Sequence, residues 1–142
     1  MGEDSLKVVE GLESAMNARD WAAWDELHAE NVVLHSPDSP EPTKGRENVR
    51  AWYKGFTDGF PDLDVTQLRL FASGEWVVGE YTVKGTHTGP LPGPEGEIAP
   101  TNKVVTMPSA TVYRVAGGQI QEIHEYFDQM GFMAQLGLLE GP

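Results

Sequence analysis

Gly117-Gly118-Gln119-Ile120-Gln121-Glu122-Ile123-His124-Glu125-Tyr126-Phe127-Asp128 is the stretch on which the reading of this chain turns. The two glycines mark a tight turn, and the residues after them alternate as a strand requires. Glu122, His124, Tyr126 and Asp128 fall on one face with Ile120, and Gln121, Ile123, Glu125 and Phe127 fall on the other. Successive groups on a face are about 7 Å apart. Four side chains able to move protons or to hydrogen-bond therefore share one side of one strand. Open to water they form an ordinary polar face; lining a pocket they form an acid–base site.

Working back from the turn, residues 103–115 read as the hairpin partner, with Pro108 implying a bulge or an edge. Residues 88–100 hold four prolines and three glycines and read as a loop or flap. Residues 76–87 form a long strand with Val77, Gly79, Tyr81, Val83, Gly85 and His87 on one face, and His87 at its end is expected at the surface or rim. Ser73-Gly74 is a turn, and the period of two begins at Leu63.

Before Leu63 the period is helical. Leu6, Val9, Leu12 and Met16 make an apolar stripe over residues 4–19. Asp20 is placed to cap a short second helix carrying Trp21, Trp24 and Leu27, ended by Asn31 and followed by a short strand at 32–35. A third helix starts at Arg46, carries Val49, Trp52, Tyr53 and Phe56, and stops at Pro61. Gly55 and Gly59 inside it suggest close packing against a sheet. Residues 130–139 read as one or two helical turns. Helices first and antiparallel strands after predict an α+β fold: one domain spanning residues 1–142, with three N-terminal helices across a strongly bent antiparallel sheet, enclosing a pocket.

Composition narrows the function. Of 142 residues, 39% are hydrophobic and 23% charged, as in a globular chain. The net charge of −12 argues against nucleic acid and anionic membranes as partners. The absence of cysteine excludes disulfides and thiolate chemistry. There is no apolar run of membrane-spanning length and no signal-peptide pattern, so the expected address is the cytoplasm. No HxH or HxxxH pair occurs, and His124 and Asp128 lie about 13 Å apart on a strand, so no metal is expected. The glycines of the flap lack the Lys-Ser/Thr of a phosphate loop, so no nucleotide cofactor is expected.

Four motifs in order carry a resemblance. They are Gly45-Arg46-Glu47-Asn48-Val49-Arg50, Phe60-Pro61-Asp62-Leu63, Gly85-Thr86-His87-Thr88-Gly89, and Ile123-His124-Glu125-Tyr126-Phe127-Asp128 with Gln135-Leu136-Gly137. Together, across residues 6–137, they resemble the SnoaL-like polyketide cyclase family of the cone-shaped nuclear-transport-factor-2-like superfamily. The resemblance implies a cofactor-free pocket, an Asp on the last strand as general base at the position of Asp128, and His35 facing the cavity. The superfamily holds cyclases, isomerases, lyases, epoxide hydrolases and non-catalytic binders, so the reaction does not transfer.

Asp128 is followed by Met130, Phe132 and Met133, whose apolar surroundings would disfavour its charged form and make it a better base. Tyr126, His124 and His35 are the candidate donors to a developing enolate oxygen. The expected substrate is a small, apolar, carbonyl-bearing molecule. Against this stand Asp128 as the cap of a C-terminal helix and the chain as a binder of apolar ligands. Trp76, Val78 and Val112 on the outer sheet face need cover, which points to a homodimer.

Overall fold

The computed structural model describes residues 2–93 and 96–139. Helices α1 (Gly2–Ala18) and α2 (Trp21–Glu26) are followed by strands β1 (His28–His35) and β2 (Thr43–Lys44) and by helix α3 (Arg46–Gly59). Then come β3 (Asp64–Ser73), β4 (Trp76–Thr86), β5 (Leu91–Gly93), β6 (Gly96–Ile98), β7 (Val104–Ala116), β8 (Gln119–Phe127) and helix α4 (Gln129–Gln135). The main sheet has the order β2-β1-β8-β7-β4-β3, and β5 and β6 form a separate hairpin. The fold is α+β, with the first helices laid across one face of a large sheet.

Local chemistry explains the element ends. Asp20 caps α2 by accepting from the Ala23 amide at 3.1 Å. Gly117 and Gly118 both take positive φ, 62° and 75°, so the β7–β8 turn is closed to residues with a Cβ that resists that region. The bend of the sheet comes from register shifts between Gln67 and Arg69, between Arg114 and Val115, and between His28 and Val33.

Several expectations need correction. The first strand begins at His28 rather than Val32, because the backbone after Leu27 pairs with β8: the Ile120 amide donates to the Leu27 carbonyl at 2.8 Å. The β1–β8 pair is parallel, whereas every other pair in the main sheet is antiparallel. Pro108 causes no bulge; it pairs with Thr82 in unbroken β4–β7 register and lies one residue past the last β7–β8 pair, Ser109 with Phe127. On that side the strand is an edge, and α4 closes it. The Gln135 amide group accepts from Thr106 N–H at 2.9 Å and donates to Thr106 C=O at 3.0 Å, substituting for a neighbouring strand. His87 is fully buried, not at the rim. It stacks on Phe60, its Nδ1 accepts from the Thr101 amide at 3.2 Å, and it ties together the two ends of the flap.

The apolar core has two parts. One joins α1, α2 and α3 to the sheet through Val9, Trp24, Val32, Val49, Val77 and Ile123. The other joins α4 and the flap through Phe60, Leu91, Val105, Met107, Phe132 and Leu136. The helical glycines serve the second part: a Cβ on Gly59 would come within 2.8 Å of Leu91, and one on Gly55 within 3.3 Å of Pro92. Close packing is thus against the flap and not against the main sheet.

His28 sits wholly buried in the first part, its ring stacked on Trp24 at 3.6 Å. Its Nδ1 donates to the Trp24 carbonyl at 2.6 Å, while Nε2 has no hydrogen-bond partner among the described residues. Burial holds the imidazole neutral and pushes its pKa down to about 4. The unfolded chain takes up a proton near pH 6.5 and the folded chain does not, so stability is intact above that pH and is lost as the pH falls through 4. The expected loss from this residue is about 3 kcal/mol between about pH 7 and pH 4. Urea unfolding of wild type and His28→Gln across that range checks this: the stability gap between them should narrow as the pH falls, and a constant gap refutes it.

Candidate active site

A cavity of about 300 Å³ lies between the two core parts, on the helix-covered face of the sheet. That size suits a small organic molecule. Its walls are largely apolar: Leu12 and Met16 of α1, Trp52 and Phe56 of α3, Val83 of β4, Met107 of β7 and Phe127 of β8. Two carboxylates enter it, Glu125 from β8 and Glu13 from α1. No Lys, Arg or His is among its described lining residues.

The β7–β8 register decides which face of β8 looks inward. Ile123 pairs with Tyr113, Glu125 with Thr111 and Phe127 with Ser109, and all six line the cavity or the core. Glu122, His124 and Tyr126 therefore point to the outer side. The extra residue Gln121, where the register shifts, turns Ile120 back into the core although it stands two residues before Glu122.

Glu125 is the best-supported group of the cavity. Its Oε2 accepts from the Tyr53 hydroxyl at 2.6 Å and its Oε1 from the Thr111 hydroxyl at 2.8 Å. Burial raises its pKa, the two hydrogen bonds oppose that rise, and the charge of Asp38 adds to it. Tyr53 is pushed well up, first by burial and then by the charge of Glu125, so it stays a donor. Helix α3, which carries Tyr53, is pinned to α2 by Arg50 on Asp25 at 2.7 Å. Trp52 on the same helix donates to Asp38 at 3.1 Å, which draws the loop after β1 against the site.

Glu13 forms a second station. Its Oε2 accepts from the Tyr81 hydroxyl at 2.6 Å, and the Gln67 amide, assigned with its nitrogen towards the carboxylate because the oxygen would face only acceptors there, donates to Oε1 at 2.7 Å. Burial raises the Glu13 pKa, the Tyr81 hydrogen bond opposes it, and Glu10 adds a like charge. Tyr113 lies between the stations, coupled to Tyr81 and Thr111 and feeling both carboxylates; burial is the main reason its pKa is raised.

The expected site residues lie elsewhere. Asp128 is exposed and caps α4, its Oδ1 accepting from the Gly131 amide at 2.9 Å. Tyr126 is 57% exposed on the outer face. His124 binds Glu122 at 2.7 Å and stacks on His35 with ring centres 4.5 Å apart. Glu122 is held low by its hydrogen bonds from His124 and Arg114. His35 and His124 are register partners in the parallel β1–β8 pair. The structure thus gathers His35, His124 and Glu122 on the outer sheet face and brings none of Asp128, His124, Tyr126 or His35 to the cavity. Glu125, Tyr53, Thr111, Glu13 and Tyr81 were not singled out as site residues. A signal for two of them existed: Glu125 stands between the apolar Ile123 and Phe127 on one strand face, and Glu13 lies four residues after Val9 on the apolar stripe of α1.

Among the described residues no three His, Asp or Glu side chains converge as a metal site, and no helix is long and apolar enough to cross a membrane.

A curved sheet under three helices, with a partly open carboxylate cavity between them, defines the class of cone-shaped α+β folds. The SnoaL-like polyketide cyclase family model matches residues 6–136, and the chain belongs to that family. Solved structures agree on the fold. A SnoaL-like protein from Jannaschia sp. CCS1 is 22% identical, with 99% of this chain and 96% of that one covered at a TM-score of 0.87. IdmH from Streptomyces antibioticus, a polyketide cyclase candidate, is 26% identical, with 94% and 98% covered at 0.76. An NTF2-like protein from Burkholderia xenovorans LB400 is 15% identical, with 96% and 98% covered at 0.75. No curated protein matches in sequence.

The cap assignment has a measurable consequence. Asp128→Ala should cost about 1 kcal/mol of stability, while Asp128→Asn, itself a good cap, should cost only a few tenths. Thermal unfolding of the two variants checks this; equal losses would remove the cap role.

Proposed function

We propose that this protein is a cofactor-free acid–base enzyme acting on a small, apolar, carbonyl-bearing molecule, with Glu125 as the proton-accepting group. The observation that carries the reading is the Glu125 carboxylate, seated in an apolar cavity and held between the Tyr53 and Thr111 hydroxyls. Burial makes it a stronger base than a carboxylate in water, and the two donors fix its direction. Glu125 would take a proton from the carbon beside the carbonyl, and the electron pair would move towards the carbonyl oxygen. Tyr113 and Ser109 line the same space and are the donors available to that oxygen, since the Tyr53 hydroxyl is already given to Glu125. Cyclisation and isomerisation both begin with this step. The base role considered for Asp128 passes to Glu125 because the Asp128 carboxylate is exposed and committed to the Gly131 amide.

The test follows exchange of the α-protons of a panel of aryl and polycyclic ketones in deuterated water by NMR. Glu125→Gln keeps the shape and removes the basicity, and should slow exchange by roughly 10²–10⁴ with the fold intact by circular dichroism. Asp128→Asn should exchange at the wild-type rate. An unchanged rate in Glu125→Gln sinks the proposal, and saturable binding of the ketones without exchange moves the protein to the class of non-catalytic binders.

We also propose that a second copy of the chain covers the outer sheet face. Phe71, Val78 and Val112 form a row in register across β3, β4 and β7, with Phe71 62% exposed. The charges beside this row are already paired, Arg69 with Glu80 and Arg114 with Glu122, so covering it strands no charge. The cavity lies on the opposite face and stays free. Light scattering at micromolar concentration should give a dimer for wild type and a monomer for Val78→Lys; a wild-type monomer ends this proposal.

A further inference from the structure

Buried carboxylates usually have a positive partner, because taking an ion out of water is costly unless it is paired. The two in this cavity, Glu125 and the half-buried Glu13, have none among the described residues. Glu13 is held by Tyr81 and Gln67, and Glu125 by Tyr53 and Thr111, and all four donors are neutral. The charges that each carboxylate feels are of its own sign: Glu10 acts on Glu13 and Asp38 on Glu125. Around them stand aromatic faces. Trp24, Trp52, Tyr53 and Phe127 form one linked cluster, with centre distances of 5.9 Å for Trp24–Tyr53, 4.9 Å for Trp52–Tyr53 and 6.5 Å for Trp52–Phe127. Trp24, itself 1% exposed, lines the cavity. A cavity with two acids, aromatic rings in its wall and no cation among its described lining residues suits a positive charge.

We propose that the natural ligand is a cationic amphiphile: a ring-sized apolar molecule bearing a protonated or quaternary nitrogen, with Glu13 as its counter-charge. This deepens the acid–base reading and uses the same cavity, so the substrate becomes a basic ketone whose nitrogen is held by Glu13 while its carbonyl side faces Glu125. The cation lies against the aromatic faces and repays the cost of keeping Glu13 ionised away from water. The net charge of −12 adds a long-range pull on cations and repels acids. Because the cation needs an ionised partner, affinity should fall as the pH is lowered through the raised pKa of Glu13.

The test uses three probes on the resting protein, followed by fluorescence of the cavity tryptophans and by amide NMR shifts. They are benzyltrimethylammonium, its uncharged carbon isostere neopentylbenzene, and phenylmethanesulfonate. The ammonium should bind about tenfold or more tightly than the isostere, and the sulfonate should not bind. Glu13→Gln should weaken the ammonium about tenfold and leave the isostere unchanged, a pattern that loss of folding cannot produce. Acidification should weaken the ammonium alone. The proposal is overturned if the isostere binds as tightly as the ammonium in wild type, if Glu13→Gln leaves the ammonium unaffected, or if the ammonium shows no saturable binding up to about 10 mM. Binding needs no turnover, so these outcomes are read apart from the fate of Glu125 as base. Loss of exchange in Glu125→Gln with no preference for the cation would keep the acid–base reading and discard this one.

Discussion

The register between β7 and β8 is the constraint on which the rest depends. A tight two-glycine turn starts it, and one extra residue, Gln121, shifts it. That shift sets the inward face of β8 as Ile123, Glu125 and Phe127, opposite Tyr113, Thr111 and Ser109. Side chains alternate with a period of two, so slipping the pairing by one residue would send Glu125 to solvent and His124 to the core. Both the apolar packing of Ile123 and the hydrogen bond from Thr111 to Glu125 hold the observed register, and each reinforces the other.

Around that face the protein separates its apolar packing from its cavity in space. The two apolar cores lie on either side of the cavity and hold its walls, while the two carboxylates inside accept from hydroxyl and amide donors. Raised carboxylate pKa values are the consequence of burial without a cation. Such groups are poor contributors to stability and good starting points for acid–base work. The outer face shows the contrary arrangement. Glu122 is held low there by His124 and Arg114 in a half-exposed network, which is what a structural ion pair looks like.

Membership in the SnoaL-like family fits this architecture and leaves the chemistry to the individual cavity. In this chain the carboxylates come from positions that the family resemblance did not mark. The Asp at the end of the last strand is used instead to start α4, the helix that seals the open edge of β7 through Gln135. A cap and a general base both need an oriented carboxylate, so a motif alone does not separate them.

The sequence by itself determined the element order, the change from helical to strand period near Leu63, the Asp20 cap, the Gly117-Gly118 hairpin and the apolar character of the helix stripes. These follow from local rules of dihedral preference and periodicity, which need no partner. From Glu122 onward it also divided β8 correctly into two faces. Which face points inward was left to the tertiary structure, because alternation is symmetric and only pairing with β7 and cover by α1 and α3 break that symmetry. Ile120 pulled the reading the wrong way: it is apolar and two residues from Glu122, and the bulge at Gln121 that separates them has no local signature. The parallel direction of β1, the burial of His87 and the meeting of Tyr53 with Glu125 across 72 positions likewise arise only when distant segments pack.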